Sequence, residues 1–512
     1  MDNFIEKGKK YEDNMKILYT IDELAYADHI AVAYLSGVSK AMGHESHFCS
    51  IDRMNLSDKV REVRPDIIAY SFHNSGFDDI VASHSEAKKH HSFISIAGGP
   101  DPSFSPERFN ESGMDAYCVG EGEGPWQDFL TAVDRGEPYH DIPNLITEKG
   151  VNPVRTLVGE LDELPMPDRD LTIANSYLKN ASKKTFYLTR GCPFKCTYCY
   201  NSMFHNLYKG KGKFVRRFSV DRVIAEMKDV KSKYKMDFVR IGDDLFAIKV
   251  DDWLEEFAEK YSKEIGVPFS CYLRLDLVGD RLLKALKKAG CYSVKLSLDS
   301  VNEHVRNNVI KRGAGKGRDL QMLTENVRKF HEYGINTWVN YMLTVPETSL
   351  QDDIDTIHFS KRAKVTLPHY STLVPTKGTE IYDYCVEKRL FDPKNHNDDM
   401  SGVSEPSTLN CFSERRKRIS YNIYLLGPFI SKWPWFFYRL GILIIKWVPP
   451  NRLFLWIRNT FFEYYNEHKI FKLDPTEDSD AKPVRDYQKG NQEERAPSKR
   501  VHTEHSDSAV WS

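Results

Sequence analysis

Two stretches in which apolar runs alternate with amphipathic segments constrain this chain most. In the first, Lys16–Ile21, Ser46–Ile51, Asp66–Ser71, Phe93–Ala97 and Ala116–Gly120 read as buried strands, with helix-like segments such as Ile30–Met42 and Asp78–Lys89 between them. Strand–helix alternation of this kind predicts an α/β domain over residues 15–135, built on a doubly wound parallel sheet of the Rossmann-like, flavodoxin type. In the second, residues 183–390, the predicted strands are Thr185–Leu188, Phe238–Gly242, Pro268–Arg274, Ser293–Asp299, Thr337–Leu343 and Leu367–Leu373. Helices are expected at Ser219–Lys233, Asp251–Ile265 and Gly317–Tyr333, and six such units predict a partial (β/α)6 barrel. Residues 136–182 are punctuated by Pro143, Pro165 and Pro167 and read as an extended connector.

Both folds place ligands at the carboxyl ends of their strands. The second stretch carries Cys192-Pro193-Phe194-Lys195-Cys196-Thr197-Tyr198-Cys199 directly after its first strand. Three thiolates at this spacing can ligate three irons of a [4Fe–4S] cluster and leave the fourth open to a small molecule. A zinc site would want a second cysteine pair, and an electron-transfer ferredoxin a fourth local cysteine; neither follows. A disulfide framework fails on composition, because nine cysteines in 512 residues are sparse. Cys49, Cys118, Cys271, Cys291, Cys385 and Cys411 are scattered and read as core or bystander residues. The charged start Met1–Lys10 has no apolar core, so export is not expected and a reducing cytoplasm is. A net charge of −1 gives no bulk reason to bind nucleic acid.

In the first stretch the strand ends carry Ser71-Phe72-His73-Asn74-Ser75-Gly76, Gly98-Gly99-Pro100-Asp101-Pro102-Ser103 and Gly120-Glu121-Gly122-Glu123-Gly124. Glycines there let backbone approach a bulky ligand closely. The cysteine triplet resembles the signature of the radical S-adenosylmethionine (SAM) superfamily. The three loops upstream resemble the cobalamin-binding domain that precedes many of its barrels. The resemblance runs from residue 15 to about 390, closing on Val374-Pro375-Thr376-Lys377-Gly378-Thr379-Glu380-Ile381-Tyr382.

That resemblance implies a [4Fe–4S] cluster on Cys192, Cys196 and Cys199, with SAM on the open iron. An external donor of the flavodoxin or ferredoxin type would supply the electron that cleaves SAM to a 5′-deoxyadenosyl radical. Cobalamin would sit over Ser71, His73, Asn74, Gly98, Gly99, Pro100, Gly120, Glu121, Gly122 and Glu123. No protein histidine is expected on cobalt, since the D-x-H-x-x-G motif is absent after the first strand. Ser71-x-His73-x-x-Gly76 mimics its spacing elsewhere, so His73 is expected to line the pocket.

For SAM the resemblance points to Tyr198 against the adenine, to Asp243 or Asp244 at the ammonium group, Asp243 slightly preferred, and to Asp299 at the ribose. Arg274 is a candidate for a carboxylate, and equally for a salt bridge to Asp276 or Asp299. Arg216-Arg217-Phe218-Ser219 is expected to open the next helix, with Ser219 as its cap. Thr344 stands where the family commonly has glycine, and Glu347 is expected as an acid in a first helical turn.

The implied reaction is methyl transfer to an unactivated carbon. A non-methylating oxidative cyclase is the alternative, and a degenerate, non-catalytic binding protein a third reading. The substrate class is a small or lipid-like molecule. Beyond residue 390 a helical region is expected over 391–473. There Trp435–Val448 is nearly continuous apolar sequence, with Trp433, Trp435, Trp447 and Trp456 beside Lys432, Arg439, Lys446, Arg452 and Arg458. Fourteen residues fall short of the ~20 needed to span a bilayer. The region is expected either to cap the barrel or to touch a membrane peripherally. Residues 474–512 read as a disordered tail.

Overall fold

The computed structural model describes residues 14–24, 29–312, 319–393 and 400–473. Of residues 1–14, read from the sequence as an extension ahead of the first domain, all but the last lie outside them, as do the expected disordered tail and the first residues of the helix expected from Gly317.

The first sheet contains β1 (Lys16–Ile21), β2 (Glu45–Ser50), β3 (Ile67–Ser71), β4 (Ile94–Gly98), β5 (Ala116–Cys118), β6 (Leu145–Thr147) and β7 (Gly150–Val151). Its order is β2-β1-β3-β4-β5-β6-β7. The first five strands pair in parallel, as the flavodoxin-type reading requires. Burial on both faces explains why their sequences read as apolar runs rather than as alternation. The last two strands pair antiparallel and come from the expected connector. Asn144 makes this possible: it adopts φ +75°, and its side-chain amide donates to the Val119 carbonyl at 2.7 Å. Proline punctuation hid a hairpin that extends the sheet past β5.

The second unit contains β8 (Lys183–Phe186), a short antiparallel pair β9 (Thr189–Arg190) and β10 (Arg216–Arg217), and then β11 (Phe238–Ile241), β12 (Phe269–Tyr272), β13 (Cys291–Asp299), β14 (Asn336–Leu343) and β15 (Leu367–Thr372). Six of these strands form one parallel sheet in the order β15-β14-β13-β12-β11-β8. Arg216 and Arg217 thus form a strand, and the helix begins at Val220 with the Ser219 hydroxyl accepting from the Arg222 amide at 3.3 Å. Tyr341 points outward to Ser360 on the helix Leu350–Ala363, so Trp338 and Asn340 face the lumen.

The C-terminal region forms three helices, Glu414–Ile430, Trp435–Trp447 and Arg452–Tyr465, followed by a wide turn through Asn466–Ile470. They close the barrel at its amino end and open flank, away from the strand ends that carry the cysteines. Ile470 and Phe471 pack with Phe238, Trp338 and Leu367 at the beginnings of their strands. The Ser293 hydroxyl donates to the Ile470 carbonyl at 2.6 Å. Phe462 lies edge-on to Trp338, with ring centroids 5.4 Å apart.

The helix Glu414–Ile430 is anchored through buried Asp353, which accepts from the Ser420 hydroxyl at 2.7 Å and pairs with Arg416 at 3.4 Å. Asp353 also accepts from the Thr344 amide at 3.4 Å. Thr344 stands at φ +54°, a conformation that glycine adopts freely and that costs a β-branched residue about 1–3 kcal/mol. Burial raises the Asp353 carboxyl from 3.8 to about 6, against the pull of Arg416. The native state therefore holds a proton that the unfolded chain releases, and this contribution to stability is lost as pH rises from about 4 through about 6. Urea denaturation of Asp353→Asn against wild type across that window is expected to show a constant offset plus a pH-dependent difference that favours the variant increasingly up to about pH 6 and is flat above.

Candidate functional site

The cysteine loop begins where β9 ends. Gly191 turns the chain at φ +83°, where a Cβ would meet the Phe214 carbonyl at 2.5 Å. His205 Nε2 lies 2.8 Å from the Cys192 carbonyl. The Thr197 amide and hydroxyl donate to the carbonyls of Ile310 and Val309 at 3.1 and 2.9 Å. The Thr197 carbonyl in turn accepts from the Ile381 amide at 3.0 Å, so three separate segments fix the loop. Cys199 is the residue before the helix Tyr200–Leu207.

No disulfide joins the cysteines. Among the described residues no group of three or more His, Cys, Asp or Glu side chains is placed to hold a single metal ion. Burial pushes the Cys199 thiol up to about 11 and raises Cys192, so metal binding there would release protons. Two guanidinium groups face the most buried thiol: Nη1 of Arg274 and Nη1 of Arg312 each lie 4.0 Å from Cys196 Sγ. A negatively charged iron–sulfur cluster fits this donor set and its cationic rim.

Arg312 was invisible in the sequence reading. It lies far along the chain from the cysteines, and only the packing of β13 and the turn Val305–Val309 brings it in. Its Nε is 3.1 Å from Asp299 and its Nη1 3.3 Å from the Tyr198 hydroxyl. Tyr198 donates to Asp299 at 2.7 Å. Asp299 ends β13 at φ +63°, at a register shift, and also accepts from the Ser297 hydroxyl. Tyr198 and Asp299 are thus brought together, with both oxygens of Asp299 already engaged. Arg274 resolves to the Asp276 salt bridge at 2.8 Å and stacks on Phe194 at 3.7 Å. Glu347 lies outside the helix that begins at Leu350, capped by Ser349. It stands at φ +67° and contacts His304 at 2.9 Å and Tyr384 at 2.6 Å, so the helical-turn reading is corrected.

The adjacent carboxylates after β11 separate. Asp243 is buried and accepts from the amides of Leu188 and Thr189 at 2.6 and 3.2 Å, bracing the strand that feeds the cysteine loop. Burial raises its carboxyl to about 7. Asp244 is exposed and turns toward open space. The geometry therefore favours Asp244 over Asp243 for a ligand contact.

That open space is a cavity of about 370 Å³ between the carboxyl ends of the two sheets. Asp244, Asn201 and Tyr187 wall it on the barrel side; Ser71, Gly98 and Gly99 floor it on the other. Gly120, Glu121, Gly122 and Glu123 also line it, whereas His73, Asn74 and Pro100 do not. His73 turns to Asp22, 3.4 Å away, which raises its pKa. Asn74 starts a short 3-10 turn and Pro100 a helical turn. Glu121 pairs with Arg216, and Glu123 with Arg190 at 2.5 Å, so the acidic loop clamps the first sheet to β9 and β10.

The glycines of the floor differ. A Cβ on Gly120, at φ +85°, would sit 2.1 Å from the Tyr208 hydroxyl, and one on Gly99, at φ +99°, 3.0 Å from the Phe72 carbonyl. Those two serve their own surroundings. Gly98 meets nothing nearer than 3.8 Å and leaves the floor bare. A side-chain-poor floor facing the rings of Phe204, Tyr208 and Phe214 fits a broad, flat ring system such as a corrin.

Comparison with known proteins assigns both halves. The Radical SAM superfamily model matches residues 186–359, the barrel, and the B12 binding domain model matches residues 25–130, the first sheet. The chain belongs to the cobalamin-binding radical SAM superfamily. The cofactors of this family are a [4Fe–4S] cluster, SAM and cobalamin. This radical SAM chain is 24% identical to an uncharacterised methyltransferase of Pyrococcus horikoshii, over 71% of this chain and 79% of that one. It is 23% identical to the anaerobic magnesium-protoporphyrin IX monomethyl ester cyclase of Rubrivivax gelatinosus, over 72% and 68%. Its fold is shared with the radical SAM methyltransferase TsrM of Kitasatospora setae, at a TM-score of 0.62 and 15% identity, over 73% and 78% of the chains.

The Gly120–Tyr208 contact gives a test of the cavity wall. Gly120→Ala is expected to cost about 1–3 kcal/mol by forcing the tyrosine hydroxyl aside. Gly120→Ala with Tyr208→Phe is expected to cost less than the sum of the single changes by about 1 kcal/mol in urea denaturation. Strict additivity would mean that the two residues do not touch.

Proposed function

We propose that this chain transfers a methyl group to an unactivated carbon of a small, hydrophobic molecule, within the cavity between its two sheets. The observation that carries this reading is that one cavity is walled both by Asp244 and Asn201, beside the cysteine loop, and by the bare floor at Gly98. When bound, the cluster with SAM supplies a radical that removes hydrogen from carbon, and cobalamin supplies the methyl group.

The chain's own residues hold and shield. Cys192, Cys196 and Cys199 are assigned as cluster ligands, on the segment fixed by Thr197. Arg274 and Arg312 offset negative charge at Cys196. Asp244 is assigned to the ammonium group of SAM, and Tyr198 with Asp299 to its nucleoside. Asp243 braces the backbone entering the loop. Ser71, Gly98 and Gly99 are assigned to the corrin side, where no histidine among the described residues lines the cavity. Aromatic walls exclude water from a reaction that water would divert.

A second reading, ring formation without methylation, is favoured by the likeness to the cyclase. Methyl-labelled SAM separates the two. Label in the product supports transfer; unlabelled product with one 5′-deoxyadenosine per turnover rejects it. Replacing any of the three loop cysteines by alanine is expected to lower bound iron after anaerobic reconstitution and to abolish 5′-deoxyadenosine formation. An unchanged iron content would remove that residue from the ligand set. Wild-type protein that binds a full cluster yet never cleaves SAM with reductant would instead favour a binding protein. Family members act on small molecules and draw on an electron donor; a flavodoxin or ferredoxin is the donor proposed here. The aromatic C-terminal helices support a lipid-like substrate and a peripheral place at the cytoplasmic face of a membrane.

A further inference from the structure

The helix Trp435–Trp447 packs on the helix Glu414–Ile430 and buries only Tyr438, Gly441 and Ile445. One side is seated on the molecule: Gly441 lies against Ile430, and Asn422 donates to the Ile445 carbonyl at 2.9 Å. The other side is bare. Phe436 is 75% exposed and Trp447 67%, and Phe437, Leu440 and Leu443 are about half exposed alongside them. The face continues onto the next helix through Leu453 and Trp456. Scattered apolar residues on a surface need no explanation, but a contiguous aromatic face does.

Its charge says what covers it. No Asp or Glu occurs from residue 415 through 462, while Arg439, Lys446, Arg452 and Arg458 lie within or beside the two helices. Arg439 and Arg452 are exposed. The Arg415 guanidinium stands 5.6 Å from the Trp447 ring, and the Lys361 ammonium 4.8 Å from Trp435, so cations flank both ends of the face. Tryptophan and basic side chains around an apolar stripe match the boundary between acyl chains and anionic headgroups. At 13 residues the helix is ~20 Å long, too short to cross a hydrocarbon core of ~30 Å, and no described helix is long and apolar enough to span a membrane.

We propose that this face seats on an anionic phospholipid bilayer, with the helix Trp435–Trp447 lying in the interface plane. This gives the lipid-like substrate reading a physical site but rests on surface chemistry, not on methyl transfer. The test uses the full chain with its cofactors, sedimented with vesicles of phosphatidylcholine alone or with an equal part of phosphatidylglycerol. Binding is expected to the mixed vesicles, weakening as salt is raised. The variant Phe436→Glu/Leu440→Glu/Leu443→Glu is expected to lose binding by about tenfold or more, with an unchanged thermal melt. Arg439→Glu and Arg452→Glu are each expected to lower affinity for the mixed vesicles by roughly fivefold and to leave phosphatidylcholine unaffected. The proposal is overturned if wild type ignores both vesicles, or if the triple variant binds as well as wild type. It is also overturned if light scattering shows that the face pairs two copies of the chain while no vesicle is bound. None of these readouts involves turnover, so the methyl-transfer reading stands or falls separately.

Discussion

The ion pairs of Arg190 and Arg216 with Glu123 and Glu121 are the interaction on which the rest depends. Arg216 and Glu123 are both buried. Burial is the largest single influence on the Glu123 carboxyl and would raise it, yet its pKa is lowered because the charge and hydrogen bond of Arg190, a backbone hydrogen bond and the charge of Arg216 together outweigh desolvation. Removing one member of such a pair leaves an uncompensated buried charge and costs about 3–5 kcal/mol. The pairs join the loop after β5 to the two short strands that bracket the cysteines. They therefore hold the carboxyl ends of two independent sheets face to face and enclose the cavity between them.

A second layer of restraint acts on the cysteine loop from the barrel. Asp243 grips the backbone ahead of it, and Thr197 ties its middle to the turn Val305–Val309 and to the helix at Glu380. Three non-glycine residues at strand ends, Asp299, Thr344 and Glu347, hold positive φ. Asp299 and Glu347 are hydrogen-bonded through their side chains, and Thr344 through its amide to Asp353. Strain of this sort persists only where neighbours over-determine it, and here the neighbours are the parts that shape the barrel mouth.

Much of this was legible beforehand, for identifiable reasons. Parallel strands buried on both faces announce themselves as apolar runs, so β1 to β5 and the barrel strands were found within a few residues. A short cysteine spacing is local and survives without a structure. What failed was non-local or conformational. Asp243 and Asp244 are neighbours in sequence, and only the fold sends one inward and the other to the cavity. Arg312 belongs to the site through a turn that no motif marks. The hairpin β6–β7 was hidden behind prolines, and the arginines that pair with Glu121 and Glu123 come from strands far along the chain that no motif places beside them.

The residues that plug the barrel's amino end are among the last described in the chain. Ile470 and Phe471 lie beneath strands that begin at Lys183, so the barrel and its stopper are separated by most of the molecule's synthesis. On the ribosome the strands must wait, with Phe238, Trp338 and Leu367 uncovered, until the C-terminal helices emerge. Contacts this distant in sequence are slow to form. The order of translation therefore leaves the barrel open-ended until well after its cysteine loop has emerged.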